Sequence, residues 1–167
     1  MRNFLLAVFV VLAPIKSFSM QASIESYVER FRERGDIFEC SFQLQQKSIW
    51  LEELYSAITE IIGKNIRLNC SHVAFKYVTA SQIEQLIKAL TYNTQITSVL
   101  FQFSIIDIKA IESLSVMLQR NNTLVNISFT ASYLKEDLIE KLQIIAREDK
   151  RVFVFAPNTE PFGACFL

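Results

Sequence analysis

The chain has 167 residues, 51% of them apolar and 20% charged, with 17 basic and 17 acidic side chains, so it can bury one sizeable core and has no surplus of either sign. That balance excludes the strongly basic surface by which proteins hold nucleic acid or anionic membranes. With only three glycines and three prolines, tight hairpins are scarce, which points away from an antiparallel sheet.

Residues 1–19 have the pattern of a secretory signal: Arg2 is a short basic start, Phe4 to Pro14 an apolar run, and Ser17-Phe18-Ser19 a small-residue cleavage pattern before Met20. An apolar run of about twelve residues rises roughly 18 Å as a helix against about 30 Å of hydrocarbon, so a stable membrane span is not expected. The expected location is secreted, periplasmic or extracellular. Cleavage removes Arg2 and Lys16 and no acid, which moves the net charge from 0 to −2. No cysteine follows the apolar run, and Cys165 is third from the end where prenylation needs it fourth, so lipid anchoring has no support.

Residues 20–36 form the next unit. Ile24, Tyr27, Val28 and Phe31 fall at i, i+3, i+4 and i+7, one apolar stripe on a helix that starts near Ala22-Ser23 and stops at Gly35. A helix with one such face is expected to cap the open end of whatever follows.

Over residues 37–156 strand-like and helix-like patterns alternate. The strand patterns are Ile37, Cys40, Phe42; Ile66, Leu68, Cys70; Ile96, Val99, Phe101; Leu124, Ile127, Phe129; and Phe153, Phe155. The helical stripes between them are Leu51, Leu54, Ile58, Ile61; Ile83, Leu86, Ile87, Leu90; Ile108, Ile111, Leu114, Leu118; and Leu134, Leu138, Leu142, Ile145. Parallel strands need crossovers of about a dozen residues, which these helices supply, so an α/β fold with one curved parallel sheet is predicted. Residues 157–167 form a tail in which Pro157 stops the last strand. Pro161, Phe162, Phe166 and Leu167 are expected to fold back over that end.

Ile96, Val99, Phe101, Ile106, Leu114, Leu118, Asn121 and Leu124 follow the spacing L-x-x-L-x-L, an apolar residue five on, then L-x-x-x-L-x-x-N-x-x-L; Leu124, Ile127, Phe129, Leu134 and Leu142 continue it, and Asn93 matches Asn121. This resembles the long leucine-rich repeat of the ribonuclease-inhibitor type. The resemblance implies a right-handed solenoid of about four strand–helix repeats and protein–protein recognition through its concave sheet face. In similar exported bacterial proteins the partner would be a host or envelope protein. The chain departs from the pattern at Gln45, Ser104 and Ser132, where the family usually places asparagine, and Phe replaces Leu at Phe42, Phe101 and Phe129.

Around the second strand an unbroken period of 28 residues would turn Leu68, Ser71 and Val73 inward and place Lys76 in an interior slot. Burying an unpaired hydroxyl costs about 1–3 kcal/mol and a lone ammonium far more. Leu68 and Cys70 inward, with three extra residues among His72 to Tyr77, is therefore the expected register. Cys40 and Cys70 then behave as small apolar residues, unbridged.

The lone histidine, His72, has no acidic neighbour in sequence to orient it, and no C-x-x-C or H-E-x-x-H spacing or Gly-rich phosphate loop occurs. No catalytic residue, metal ligand or cofactor is assigned. The acid pairs Glu52-Glu53 and Glu136-Asp137 sit off the apolar stripes, and Asn69-Cys70-Ser71, Asn121-Asn122-Thr123 and Asn126-Ile127-Ser128 match the glycosylation triplet. The informative surface is the outward sheet face: Glu39, Ser41, Gln43; Arg67, Asn69, Ser71; Ser98, Leu100, Gln102; and Asn126, Ser128, Thr130. Short hydroxyls and amides around an apolar point such as Leu100 or Phe103 suit a protein or peptide partner, with Arg67, Asn69, Ser98, Leu100, Gln102, Asn126, Ser128 and Thr130 as the candidate contacts. A small hydrolase and a self-associating subunit are the alternatives on the same scaffold.

Overall fold

The computed structural model describes residues 24–35, 48–155 and 157. Among them are five helices and four parallel strands: α1 (24–34), α2 (Ser48–Gly63), β1 (His72–Lys76), α3 (Ala80–Leu90), β2 (Ser98–Gln102), α4 (Ile108–Arg120), β3 (Asn126–Thr130), α5 (Glu136–Glu148) and β4 (Val152–Phe155). Sheet order equals chain order, β1-β2-β3-β4, because each helix carries the chain back to begin the next strand in the same direction. Neighbouring helices pack on one another in the same sequence. The signal segment, the strand expected around Ile37 to Phe42 and the tail beyond Pro157 lie outside the described residues. No described helix is long and apolar enough to cross a membrane.

The apolar stripes close the core. Ile83, Leu86, Ile87 and Leu90 of α3 are fully buried, and Leu54 and Ile58 of α2 join them. Thr79 starts α3 with a capping box: its hydroxyl accepts from the Gln82 amide, and Gln82 Oε1 accepts from Thr79 N at 3.0 Å. Asp107 starts α4 by accepting from Ala110 N at 2.9 Å. Ile108, expected on the α4 stripe, is exposed in its first turn, and Ala110 and Met117 complete the buried face instead. Leu134 is buried but precedes α5.

The sheet side of the core is a column of phenylalanines. Phe31, Phe75, Phe101 and Phe129 stack with ring centroids 5.9, 5.5 and 5.4 Å apart. Burial of each contributes about 1.5–3 kcal/mol, and each aromatic pair adds about 0.5–1.5. Phe31 places α1 at the β1 end of this column. Gly35 ends α1 at φ +74°, its amide donating to Phe31 O, and its carbonyl accepts from Ala74 N at 2.8 Å. A Cβ at Gly35 would lie 2.1 Å from the His72 carbonyl oxygen, so only glycine lets the helix end approach β1 this closely.

The register around β1 corrects both sequence-based options. Val73 and Phe75 are the inward residues, paired with Val99 and Phe101. Leu68 is buried and Cys70 half-buried, but both precede the strand. That segment serves α1 instead: Asn69 N donates to Arg32 O at 2.8 Å, and Cys70 Sγ lies 3.7 Å from Phe31 O. The expectation of unbridged thiols at Cys40 and Cys70 turns on Cys40, which like Cys165 lies outside the described residues. In β4 the inward pair is Val152 and Val154, and Phe153 and Phe155 face outward.

One polar column fixes the turns before the strands. Asn93 Nδ2 donates to Ile62 O at 2.8 Å, and its Oδ1 accepts from the amides of Gln95 and Ile96. Asn121, 28 residues later, repeats this with Leu90 O and Asn93 O as acceptors and Thr123 N and Leu124 N as donors. In the last unit Asp149 stands at that position and cannot donate. Arg151 donates in its place, to Asn121 O at 2.7 Å and to Leu118 O, while Asp149 accepts from the guanidinium and from Arg151 N. The guanidinium holds the Asp149 carboxyl below its ordinary range, and the carboxylate raises the arginine in return.

A second column follows the strands. Ser104 and Ser132, which stand where the resembled repeat places asparagine, are buried; Ser104 Oγ accepts from Val78 N of the preceding unit at 3.2 Å and donates to Gln102 O. Tyr77, Phe103 and Ala131 each adopt positive φ, and their amides donate to the final carbonyl of the next strand at 3.0, 3.1 and 2.9 Å. Such a conformation costs a non-glycine residue about 1–3 kcal/mol, offset here by that repeated bond.

Candidate functional site

Strand alternation sends residues opposite to the buried Val/Ile and Phe positions onto the other face of the sheet. The pairings align them in rows: His72, Ser98 and Asn126; then Ala74, Leu100, Ser128 and Phe153; then Lys76, Gln102, Thr130 and Phe155. Six of the eight residues singled out from the sequence, Ser98, Leu100, Gln102, Asn126, Ser128 and Thr130, lie there together. Arg67 and Asn69 do not. They are exposed in the segment before β1, where the Arg67 carbonyl accepts from Arg32 Nε, and His72, Ala74 and Lys76 occupy the face instead. Ser71 also precedes the strand, and Glu39, Ser41 and Gln43 lie outside the described residues.

The face has three kinds of surface. Ser98, Gln102, Asn126, Ser128 and Thr130 are half-buried, with Ser128 Oγ donating to Asn126 Oδ1 at 2.8 Å. On β4, Phe153 and Phe155 are 40% and 55% exposed, their rings parallel within 2° and 6.3 Å apart. Beyond the third row the Tyr77 and Phe103 rings stack at 5.6 Å. Sequence reasoning named Phe103 beside this face but missed Tyr77, the outward placement of Phe153 and Phe155, and β1 itself. The signal was present: Val73-Ala74-Phe75-Lys76-Tyr77 parallels Val99-Leu100-Phe101-Gln102-Phe103 residue for residue.

Elsewhere the surface is less specific. Ser71 Oγ lies 3.0 Å from His72 Nδ1 at the exposed start of β1, and among the described residues no carboxylate bonds that imidazole. No described group of three His, Cys, Asp or Glu side chains could hold a metal ion. A shallow cleft of 190 Å³ lies between α3 and α4, lined by Lys88, Thr91, Glu112, Ser113 and Val116, smaller than the roughly 300–1,000 Å³ of ligand pockets. The ion pairs Glu60–Lys64 and Glu84–Lys88 lie on the outer helix surfaces, and in each the lysine's hydrogen bond lowers the glutamate's pKa. Of the three glycosylation triplets, Asn121 is buried with its amide engaged, Asn126 accepts from its own triplet's Ser128, and Asn69 is exposed. The chain matches no protein-family model and no curated protein.

Proposed function

We propose that this protein is an exported binding module of the leucine-rich-repeat type, a right-handed solenoid of about four strand–helix units capped by α1. Its concave sheet face recognises a protein or peptide partner. The single observation that carries this reading is the outward face. It combines exposed Phe153 and Phe155 with a half-buried Leu100 and short polar side chains, on a sheet held from behind by the phenylalanine column. Interfaces use this mixture: apolar and aromatic anchors within a polar surround. The 28-residue recurrence of Asn93 and Asn121 with equivalent hydrogen bonds supports the repeat, and the composition of residues 1–19 supports export.

The test places a photo-crosslinking side chain at Leu100 and, as control, at Gln119 on the exposed surface of α4, in the cells that make the protein. A discrete adduct from position 100 alone supports the reading; adducts from both positions, or from neither, overturn it. Sequencing the amino terminus of the secreted fraction tests export, with Met20 expected as the first residue. The outward pair on edge strand β4 also favours a second reading, self-association, which predicts a sedimentation mass that rises with concentration and reverts in Phe155→Thr.

A further inference from the structure

We infer that the open edge of β4 is where two copies of this chain meet, pairing antiparallel about a two-fold axis that passes beside Val154. The inference rests on the self-association reading and gives it one surface and one geometry; the partner of the concave face plays no part in it.

The two ends of the stack differ. At the β1 end Ala74 N already donates to Gly35 O at 2.8 Å, and Phe31 of α1 closes the phenylalanine column. At the other end no described strand lies beyond β4. The column ends there at Val154, half-buried where its neighbour Phe129 is buried. The helix layer is finished and the sheet layer is not. Ile87, Ser115 and Gln143, 28 residues apart on successive helices, pass from buried to half-buried to exposed as they turn from apolar to polar. The edge strand instead reads Val-Phe-Val-Phe, with none of the charges, prolines or bulges that keep an edge from pairing. What this end accepts is therefore a strand. A head-to-tail stack of copies would need an open β1 edge, which α1 has taken, so like ends must meet and the assembly closes at two copies.

The strand is self-complementary in one arrangement. The carbonyls of Arg151 and Phe155 accept from Ile127 N and Ala131 N, so alternation turns the backbone of Val152 and Val154 to the open side. Val152 N is bound to Asp149 O at 3.1 Å, which leaves Val154 to supply both a donor and an acceptor there. A two-fold axis between Val154 and its equivalent exchanges both bonds and sets Phe153 opposite Phe155 of the second copy. Opposed residues of antiparallel strands share a face, so the four rings gather at the centre of one joined surface while Val lies beside Val on the other. A two-fold axis along the strands would pair them parallel but turn one sheet over, setting Phe beside Val. The edge is short, so association in about the micromolar range is expected.

The experiment follows the mass of the full folded chain by sedimentation across about three decades of concentration around the micromolar range. The mass is expected to rise to two copies and stop. Phe153→Glu and Phe155→Lys, both at exposed positions, should each keep the native circular dichroism and weaken the dimer by about tenfold or more. Mixed in equal amounts they should restore a mixed dimer, because one carboxylate–ammonium pair and one Phe–Phe pair then face each other across the axis. The Val154 amide should also exchange more slowly with solvent as concentration rises, a readout that needs no variant. Dimers indifferent to both substitutions, variants that do not complement each other, unchanged exchange at Val154, or growth beyond two copies overturn the inference and leave self-association through another arrangement. A chain monomeric throughout overturns both. Dimers released by then removing residues 158–167 would make the tail the occupant of the edge, and a monomer even then would assign the edge to a strand of another protein.

Discussion

Asn121→Ala is the most direct perturbation of the repeat, because one side chain there closes two units. Its Oδ1 accepts from Thr123 N at 2.8 Å and Leu124 N at 2.7 Å, and its Nδ2 donates to the carbonyls of Leu90 and Asn93. A net contribution of about 0.5–1.5 kcal/mol per bond makes four bonds worth about 2–6 kcal/mol. At 2% exposure water cannot replace them without opening the turn, so a loss of at least the middle of that range, about 4 kcal/mol, is expected. With a urea dependence of about 2 kcal/mol per molar, the unfolding midpoint should fall by about 2 M. Asn122→Ala is the control; that residue is exposed and should shift stability by less than about 0.5 kcal/mol. Asn121→Asp keeps the acceptor bonds but turns a carboxylate toward two carbonyls, so it should lose more than alanine at neutral pH. A midpoint for Asn121→Ala within error of the Asn122 control would refute the polar column as a source of stability.

Phe31→Ala should cost about 3–5 kcal/mol in urea unfolding, as for a buried Phe, since its ring stacks on Phe75 at 5.9 Å. Gly35→Ala should speed proteolysis within Arg30 to Arg34, because its Cβ would meet the His72 carbonyl; unchanged cleavage would show that α1 is not docked. Arg151→Thr should destabilise the last unit, and adding Asp149→Asn should recover much of the loss, because an asparagine there can donate as Asn121 does; a double variant no better than the single refutes the substitution of one device for the other. Arg151 holds Asp149 below its ordinary 3.8, so between the folded and unfolded values the unfolded chain binds the proton. The stabilisation is therefore complete above about pH 4 and lost as pH falls through the folded value. In acid titration followed by circular dichroism the double variant should lack this component. Deleting residues 158–167 should make the protein self-associate or lose stability if the tail shields the β4 end; a monomer of equal stability that loses its partner would make the tail a recognition segment.

The helices were legible because their stripes are decided by burial alone: all four α3 residues named from spacing are fully buried. Strands β2 and β3 were legible for the same reason, and with them six residues of the face. Strand β1 was not, because two changes cancel. Leu68 precedes Ile96 by 28 residues, but Val73 precedes Val99 by 26, and the helix returns to 28 with Ile83 before Ile111. Two residues are added before the strand and two removed after it, so the period shows no length change. Alternation favoured Leu68 and Cys70, whereas tertiary structure uses that stretch to receive α1 and to satisfy Gln95, whose Oε1 accepts from Leu68 N. The aromatic repetition from Val73 to Tyr77 was the better guide, because it reports the Phe column directly.

Strand β4 shows how a polar device set an apolar surface. A continued 28-residue phase would pair Phe155 with Ile127, yet Val152 occupies that place. A one-residue slip would exchange the two faces of the strand and bury the phenylalanines. Fully burying a Phe contributes about 1.5–3 kcal/mol. At 40% and 55% exposure roughly half of that is forgone for each, about 1.5–3 in total. Against it stand the two guanidinium bonds from Arg151 to the carbonyls of Asn121 and Leu118, each worth about 1.5–3 kcal/mol when a charged group is involved. Ile127 N also donates to Arg151 O at 2.7 Å, which ties the arginine's position to the register of the strand. The clasp outweighs the exposure, so Phe153 and Phe155 are held outward by the same residue that closes the polar column, and the aromatic end of the face is a consequence of how the last unit is sealed.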